Sequence, residues 1–226
     1  MNIKRDYYYR TYKKEIRGAF SEKGRERLLV KLIDATILFN KNKFEKAIKK
    51  LLKLRTRCET VDDHCAVLTF IALCYDDMHY FTPAIEAYAE ILEYDDTRST
   101  VHSNLGLLYR RMGEYQMSVE IFKRAIECDG DNPYAHNNLG LTYYRMGEYE
   151  KAIECAKRAL ELKGNFYQSA NCICLSSLML GDVEESKRYY KIAVHNGGDP
   201  NTLKTEMKKI AEGAQIYKDE DLFWDL

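Results

Sequence analysis

Apolar residues recur at three- and four-residue steps along most of the chain, the spacing of amphipathic helices. In the stretch 132–165, NPYAHNNLGLTYYRMGEYEKAIECAKRALELKGN, Leu139, Gly140 and Tyr143 share one helical arc and form a packing face with a small residue at its centre. Gly147 interrupts the pattern, as a glycine does when it ends a helix in a left-handed conformation. Beyond it Tyr149, Ala152, Ile153, Ala156, Ala159 and Leu160 make a second stripe, whose small members let two helices lie close. The spacing predicts a helix, a turn between Met146 and Glu148, and a second helix.

The pattern repeats. With a shift of thirty-four residues, His102–Asp131 and His136–Asn165 are identical at seventeen of thirty positions, where average residue usage gives about two. Units of this kind cannot bury both apolar edges alone and must stack. Residues 28–64, 65–98, 99–132, 133–166 and 167–200 are the expected units. The first is degenerate: Asn42–Ile48 aligns Phe44 and Ala47 with Tyr149 and Ala152, yet Asp34 stands where the pattern wants leucine. From Ala47 to Ala84 the spacing is thirty-seven, which places a three-residue insertion near Arg57–Asp63. His79 replaces the turn glycine of the second unit. Asp199-Pro200 reads as an N-cap and first-turn pair, so 201–212 is expected to be a closing helix with Leu203, Met207 and Ile210 inward.

With N-L-G-x-x-Y, then G-E-Y, an alanine or serine, and K-R-A at this period, Ser99–Asn132, Pro133–Phe166 and Tyr167–Pro200 resemble the tetratricopeptide repeat family. The resemblance implies an all-α fold, a right-handed superhelical array of antiparallel helix pairs (an α-solenoid). It also implies a non-enzymatic scaffold that holds a partner in a concave groove lined by the first helices. It names no partner, because partner choice lives in particular side chains.

Opposite the packing arc, Thr100, Ser103, Leu107 and Arg110 have equivalents in Tyr134, Asn137, Leu141 and Tyr144, and in Gln168, Asn171, Leu175 and Leu178. Asn104 and Arg111, repeated as Asn138 and Arg145, lie beside them. Asparagine offers a donor and an acceptor to an extended backbone, and arginine a fork for a carboxylate. The expected peptide-binding set is therefore Ser103, Asn104, Leu107, Arg110, Arg111, Tyr134, Asn137, Asn138, Leu141, Tyr144, Arg145, Asn171 and Leu175. Its ligand would be an acidic or C-terminal peptide, with an aromatic anchor on Tyr134 and Tyr144. A competing reading assigns Asn104 and Asn138 to inter-helix hydrogen bonds alone and the arginines to water. One subclass of the family grips chaperone tails with a Lys, Asn and Arg clamp, which Asn104 and Asn138 resemble in part. Thr69 and Ser103 stand at the place of its first lysine, Thr100 and Tyr134 at that of another, and Asn138 at its arginine, so chaperone-tail binding is not expected.

Formal net charge is zero, but the ends differ in sign. Met1–Lys31 holds ten Lys/Arg against four Asp/Glu, and Glu212–Leu226 one Lys against five acids. In segment 1–27, Lys4, Arg5, Arg10, Lys13, Lys14 and Arg17 alternate with Tyr7, Tyr8, Tyr9 and Tyr12, a composition that can stack on single-stranded nucleic acid. That is the alternative function. The favoured role is a cap on the first unit through a Tyr8, Tyr12 and Ile16 stripe, and about 27 residues is too few for a helix-turn-helix. The tail 213–226 ends in acids around Leu222, Phe223 and Trp224. Asp219–Leu226 has three possible seats: this chain's groove, a neighbour's (self-association), or the closing helix.

Catalysis and cofactors are not expected. His64-Cys65 with His102 or His136 is a Cys/His pair only on paper, because His102 and His136 are equivalent repeat positions. Cys172-x-Cys174 is not a zinc spacing, and no Walker loop or dinucleotide glycine fingerprint occurs. Seven cysteines read as reduced, buried thiols. No apolar run approaches ~18 residues and no export signal is legible, so the expected location is cytoplasmic.

Overall fold

The computed structural model describes residues 22–213, with side chains from Lys31 onward. Every regular element among them is an α-helix: α1 Glu22–Asn40, α2 Phe44–Arg55, α3 Val61–Asp77, α4 Phe81–Tyr94, α5 Ser99–Met112, α6 Tyr115–Cys128, α7 Pro133–Met146, α8 Tyr149–Leu162, α9 Tyr167–Met179, α10 Val183–His195 and α11 Pro200–Gly213. The basic aromatic stretch Lys4–Arg17 and the tail Asp219–Leu226 lie outside the described residues. No described helix is long and apolar enough to cross a membrane.

The chain forms two compact units, Met1–Val101 and His102–Leu226, with the division inside α5. In the first, Leu32, Ala35 and Phe39 of α1 pack with Ala47, Leu51 and Leu54 of α2 and with Phe70, Ile71 and Cys74 of α3. In the second, Val119 and Phe122 of α6 meet Leu139 and Tyr143 of α7, Ala152, Ile153 and Ala156 of α8, and Ile173 of α9. A further cluster joins Ala170, Cys174 and Leu178 of α9 to Tyr190 and Ala193 of α10 and to Leu203 and Met207 of α11. Each apolar stripe is thus covered by the helices nearest in sequence, as a repeat array requires.

Two local devices set the pair geometry. Gly147 has φ +80°, its N–H donates to the Tyr144 carbonyl, and the Glu148 N–H donates to the Tyr143 carbonyl. This is the Schellman arrangement, which satisfies the last carbonyls of α7 and turns the chain into α8. The same bonds recur one period back at Gly113 and one period on at Gly181, and earlier at His79 and Asn42, which hold φ of 61° and 56° without being glycine. The second device is close approach. A Cβ on Gly140 would lie 3.0 Å from the Ala152 carbonyl oxygen, and one on Gly106 3.0 Å from the Phe122 ring. The small residues of the α7 and α8 stripes therefore let these backbones meet.

Candidate functional site

The first helices of the second unit are joined by side-chain bonds. The Arg110 guanidinium of α5 donates to the Asn138 carbonyl (3.1 Å) and to Asn138 Oδ1 (3.4 Å) on α7. Ser169 Oγ of α9 donates to Asn137 Oδ1 at 2.9 Å, and Asn171 Nδ2 donates to Glu206 Oε2 of α11 at 3.2 Å. One helix is fastened to the next by a polar contact at each step from α5 through α7 and α9 to α11. Because hydrogen bonds between buried or half-buried groups fix rotamers, this face is held in one shape.

Ser103, Asn104, Asn137 and Leu175 are buried, while Leu107, Arg110, Arg111, Tyr134, Asn138, Leu141, Tyr144 and Asn171 are half-buried. Arg145 is exposed and has no ion pair among the described residues. Tyr144 touches both core clusters of the unit and lies 5.8 Å, ring to ring, from Tyr149. Burial holds the Tyr144 and Tyr167 phenols above their ordinary pKa, with the Glu206 carboxylate adding to the effect at both. These phenols remain neutral donors at physiological pH.

Tyr134 stands apart from that group. Lys163 Nζ donates to its hydroxyl at 2.9 Å and lies 4.6 Å from the ring centroids of both Tyr134 and Phe166, which meet edge to face. Its ring is thus occupied by a lysine of its own chain. Three residues on or beside this face, Tyr167, Lys163 and Glu206, are missing from the expected set. Tyr167 precedes the position used for the wheel, and Glu206 lies on the closing helix, outside the repeat register. Its place beside the inward Met207 was the available signal.

A hollow of about 690 Å³ opens near α6 and α8 and is lined by Lys123, Ile126, His136, Leu139, Cys155 and Arg158. Its rim carries both signs: Arg158 pairs with Glu161 and Asp131, and Lys157 with Glu185. Among the described residues no group of His, Cys, Asp and Glu could hold a metal ion. All seven cysteines are free. Burial pushes the thiols of Cys58, Cys155 and Cys174 up to about 11 and those of Cys74 and Cys172 up to about 12; Cys65 is also raised by burial. A thiol so raised supplies almost no thiolate at neutral pH.

Residues 97–165 match the family model described as the tetratricopeptide repeat. The crystal structure of MamA aligns at 25% identity over 72% of this chain and 93% of its own, with a TM-score of 0.62. MamA 41-end from Desulfovibrio magneticus RS-1 aligns at 14% identity over 75% and 94%, with a TM-score of 0.63. A thermophilic TPR protein in Thermus thermophilus aligns at 16% identity over 82% and 99%, with a TM-score of 0.62. A search for curated relatives finds no match. Residues 97–165 are thus tetratricopeptide repeats, and most of the chain shares the helical-repeat fold of these structures.

Proposed function

We propose that the chain is a non-enzymatic protein-interaction scaffold, and that its second unit binds an acidic or C-terminal segment of a partner across α5, α7 and α9. The observation that carries this is the fastened face itself. Arg110–Asn138, Ser169–Asn137 and Asn171–Glu206 hold successive helices in place and leave Arg145, Tyr144 and Leu141 on a frame that need not be ordered when a partner arrives. Preorganisation lowers the entropic penalty of binding, so a modest contact area suffices. Arg145 supplies a cation for a carboxylate, and Tyr144 an apolar ring with a neutral hydroxyl. Glu206 gives the α11 end the opposite sign, which orients an acidic partner with its charge over Arg145.

Partners recovered by the wild type and by an Arg111→Glu, Arg145→Glu double variant test this. Partners lost only in the variant are ligands of this face; recovery of the same set by both would refute the assignment.

A further inference from the structure

The exposed surface of α2 is cationic in a way that no other second helix matches. Residues 41–57 hold eight Lys/Arg and one acid. Two of the eight are neutralised, Lys50 by Asp34 at 3.2 Å and Arg55 by Glu90 at 2.6 Å. Lys41, Lys43, Lys46, Lys49, Lys53 and Arg57 are exposed and have no ion pair among the described residues. On the helix itself Lys46, Lys49, Lys50 and Lys53 fall within about 100° of arc, so they form one stripe.

Alignment of Ala47 with Ala152 shows how the stripe arises. In α8, Lys151 pairs with Glu148 at 2.5 Å and Arg158 with Glu161 at 3.1 Å. The equivalent cations of α2 are Lys46 and Lys53; the places of the two carboxylates are taken by Lys43 and Thr56, and that of Glu154 by Lys49. The carboxylates that neutralise α8 have no counterparts on α2. Like charges one turn apart repel and disfavour the helix that carries them, so an anionic partner would relieve a strain intrinsic to the free surface.

Beside the stripe lies apolar surface. Asp34, held by Lys50, fixes the edge of α1 against it, and Ile33 and Ile37, one and three residues away on α1, are 50% and 44% exposed. A ligand for this patch needs several carboxylates together with large apolar side chains. Segment 214–226 has that composition: Asp219, Glu220, Asp221 and Asp225 among Ile216, Tyr217, Leu222, Phe223 and Trp224. The segment 1–21 does not, with six Lys/Arg against two acids.

We propose that the α2 stripe and the Ile33/Ile37 edge of α1 are a docking surface for the acidic aromatic segment 214–226 of a second copy of this chain. The two complementary patches are different stretches of the chain, so copies join by reciprocal exchange in a closed pair or head to tail. It uses the second-helix side of the first unit and is independent of the face proposed above.

The test is sedimentation equilibrium of the full chain over a range of concentrations, at about 0.05 and about 0.5 M salt. Three variants accompany it: Lys46→Glu, Lys49→Glu, Lys53→Glu; Asp219→Lys, Glu220→Lys, Asp221→Lys; and the two sets combined. Lys46, Lys49 and Lys53 are exposed, and circular dichroism checks that helix content is kept. At low salt the wild-type mass is expected to exceed the 26.5 kDa of one chain and to rise with concentration. Either reversal alone should weaken association at least about tenfold, high salt should do the same, and the combined variant should restore it. A mass of one chain at every concentration, association indifferent to either reversal, or no restoration in the combined variant would each overturn the proposal. So would an unassociated wild type that binds an oligonucleotide or anionic vesicles through α2.

Discussion

The α1–α2 pair and the α7–α8 pair are built on one plan and present opposite surfaces. Both turn through the same cap, at Asn42 in one and Gly147 in the other, and both bury an alanine at the start of the second helix, Ala47 and Ala152. At the closest approach they already differ, since Ala35 occupies the place of Gly140. On the surface they diverge: all three cations of α8 pair with carboxylates, and only two of the five on α2 do among the described residues. Residues that the stacking demands are kept between the pairs, and residues that it leaves free carry the difference.

Four experiments break or sharpen this contrast. The largest effect is expected at alkaline pH. Burial raises Cys172 to about 12 and Cys174 to about 11, from an ordinary value of 9.0, so folding holds both protons that the unfolded chain releases. Their stabilisation is complete below pH 9 and is lost as pH rises toward the folded values, at about 1.4 kcal/mol per pH unit per thiol. Melting followed by circular dichroism should fall steeply above pH 9, and a Cys172→Ala variant should fall less steeply.

Next comes Gly140→Val. A Cβ there already meets the Ala152 carbonyl at 3.0 Å, so the larger side chain should cost about 1–3 kcal/mol in urea unfolding. Ala35→Gly in α1 should cost about 1–2 kcal/mol, since it gives up helix propensity and a buried methyl group. The third is the N-cap of α7, where Asn132 Oδ1 accepts from the Tyr134 and Ala135 N–H groups. Asn132→Ala should cost about 1 kcal/mol by the same measurement. The smallest is Lys49→Glu, which returns to α2 the carboxylate that Glu154 provides in α8. It creates pairs with Lys46 and Lys53 and should stabilise by about 0.2–0.5 kcal/mol for each, more at low salt than at high.

Much of the fold was legible because the repeat displays it several times. Leu139, Gly140, Tyr143, Ala152 and Ala156 are buried as their spacing predicts, since one helical period and one contact geometry decide them together. The candidate site was less legible. The wheel that selected Asn137 and Asn138 could not tell a side chain facing a ligand from one facing the next helix. In the structure Asn137 accepts from Ser169 and Asn138 from Arg110, partners 32 and 28 residues away that no local spacing reveals. The competing reading, inter-helix hydrogen bonds for Asn104 and Asn138, describes the second of these contacts and did not extend to Asn137. Glu206 was missed because it follows the repeats, and the α2 stripe because a zero net charge hides a local excess.

The central claim, that the α5, α7 and α9 face of the second unit binds an acidic segment of a partner, is tested most directly by peptide-library selection on the full chain and on an Arg145→Glu variant. Acidic peptides with an aromatic residue should be enriched on the wild type and lost on the variant. Equal enrichment on both, or no acidic preference on the wild type, would contradict it.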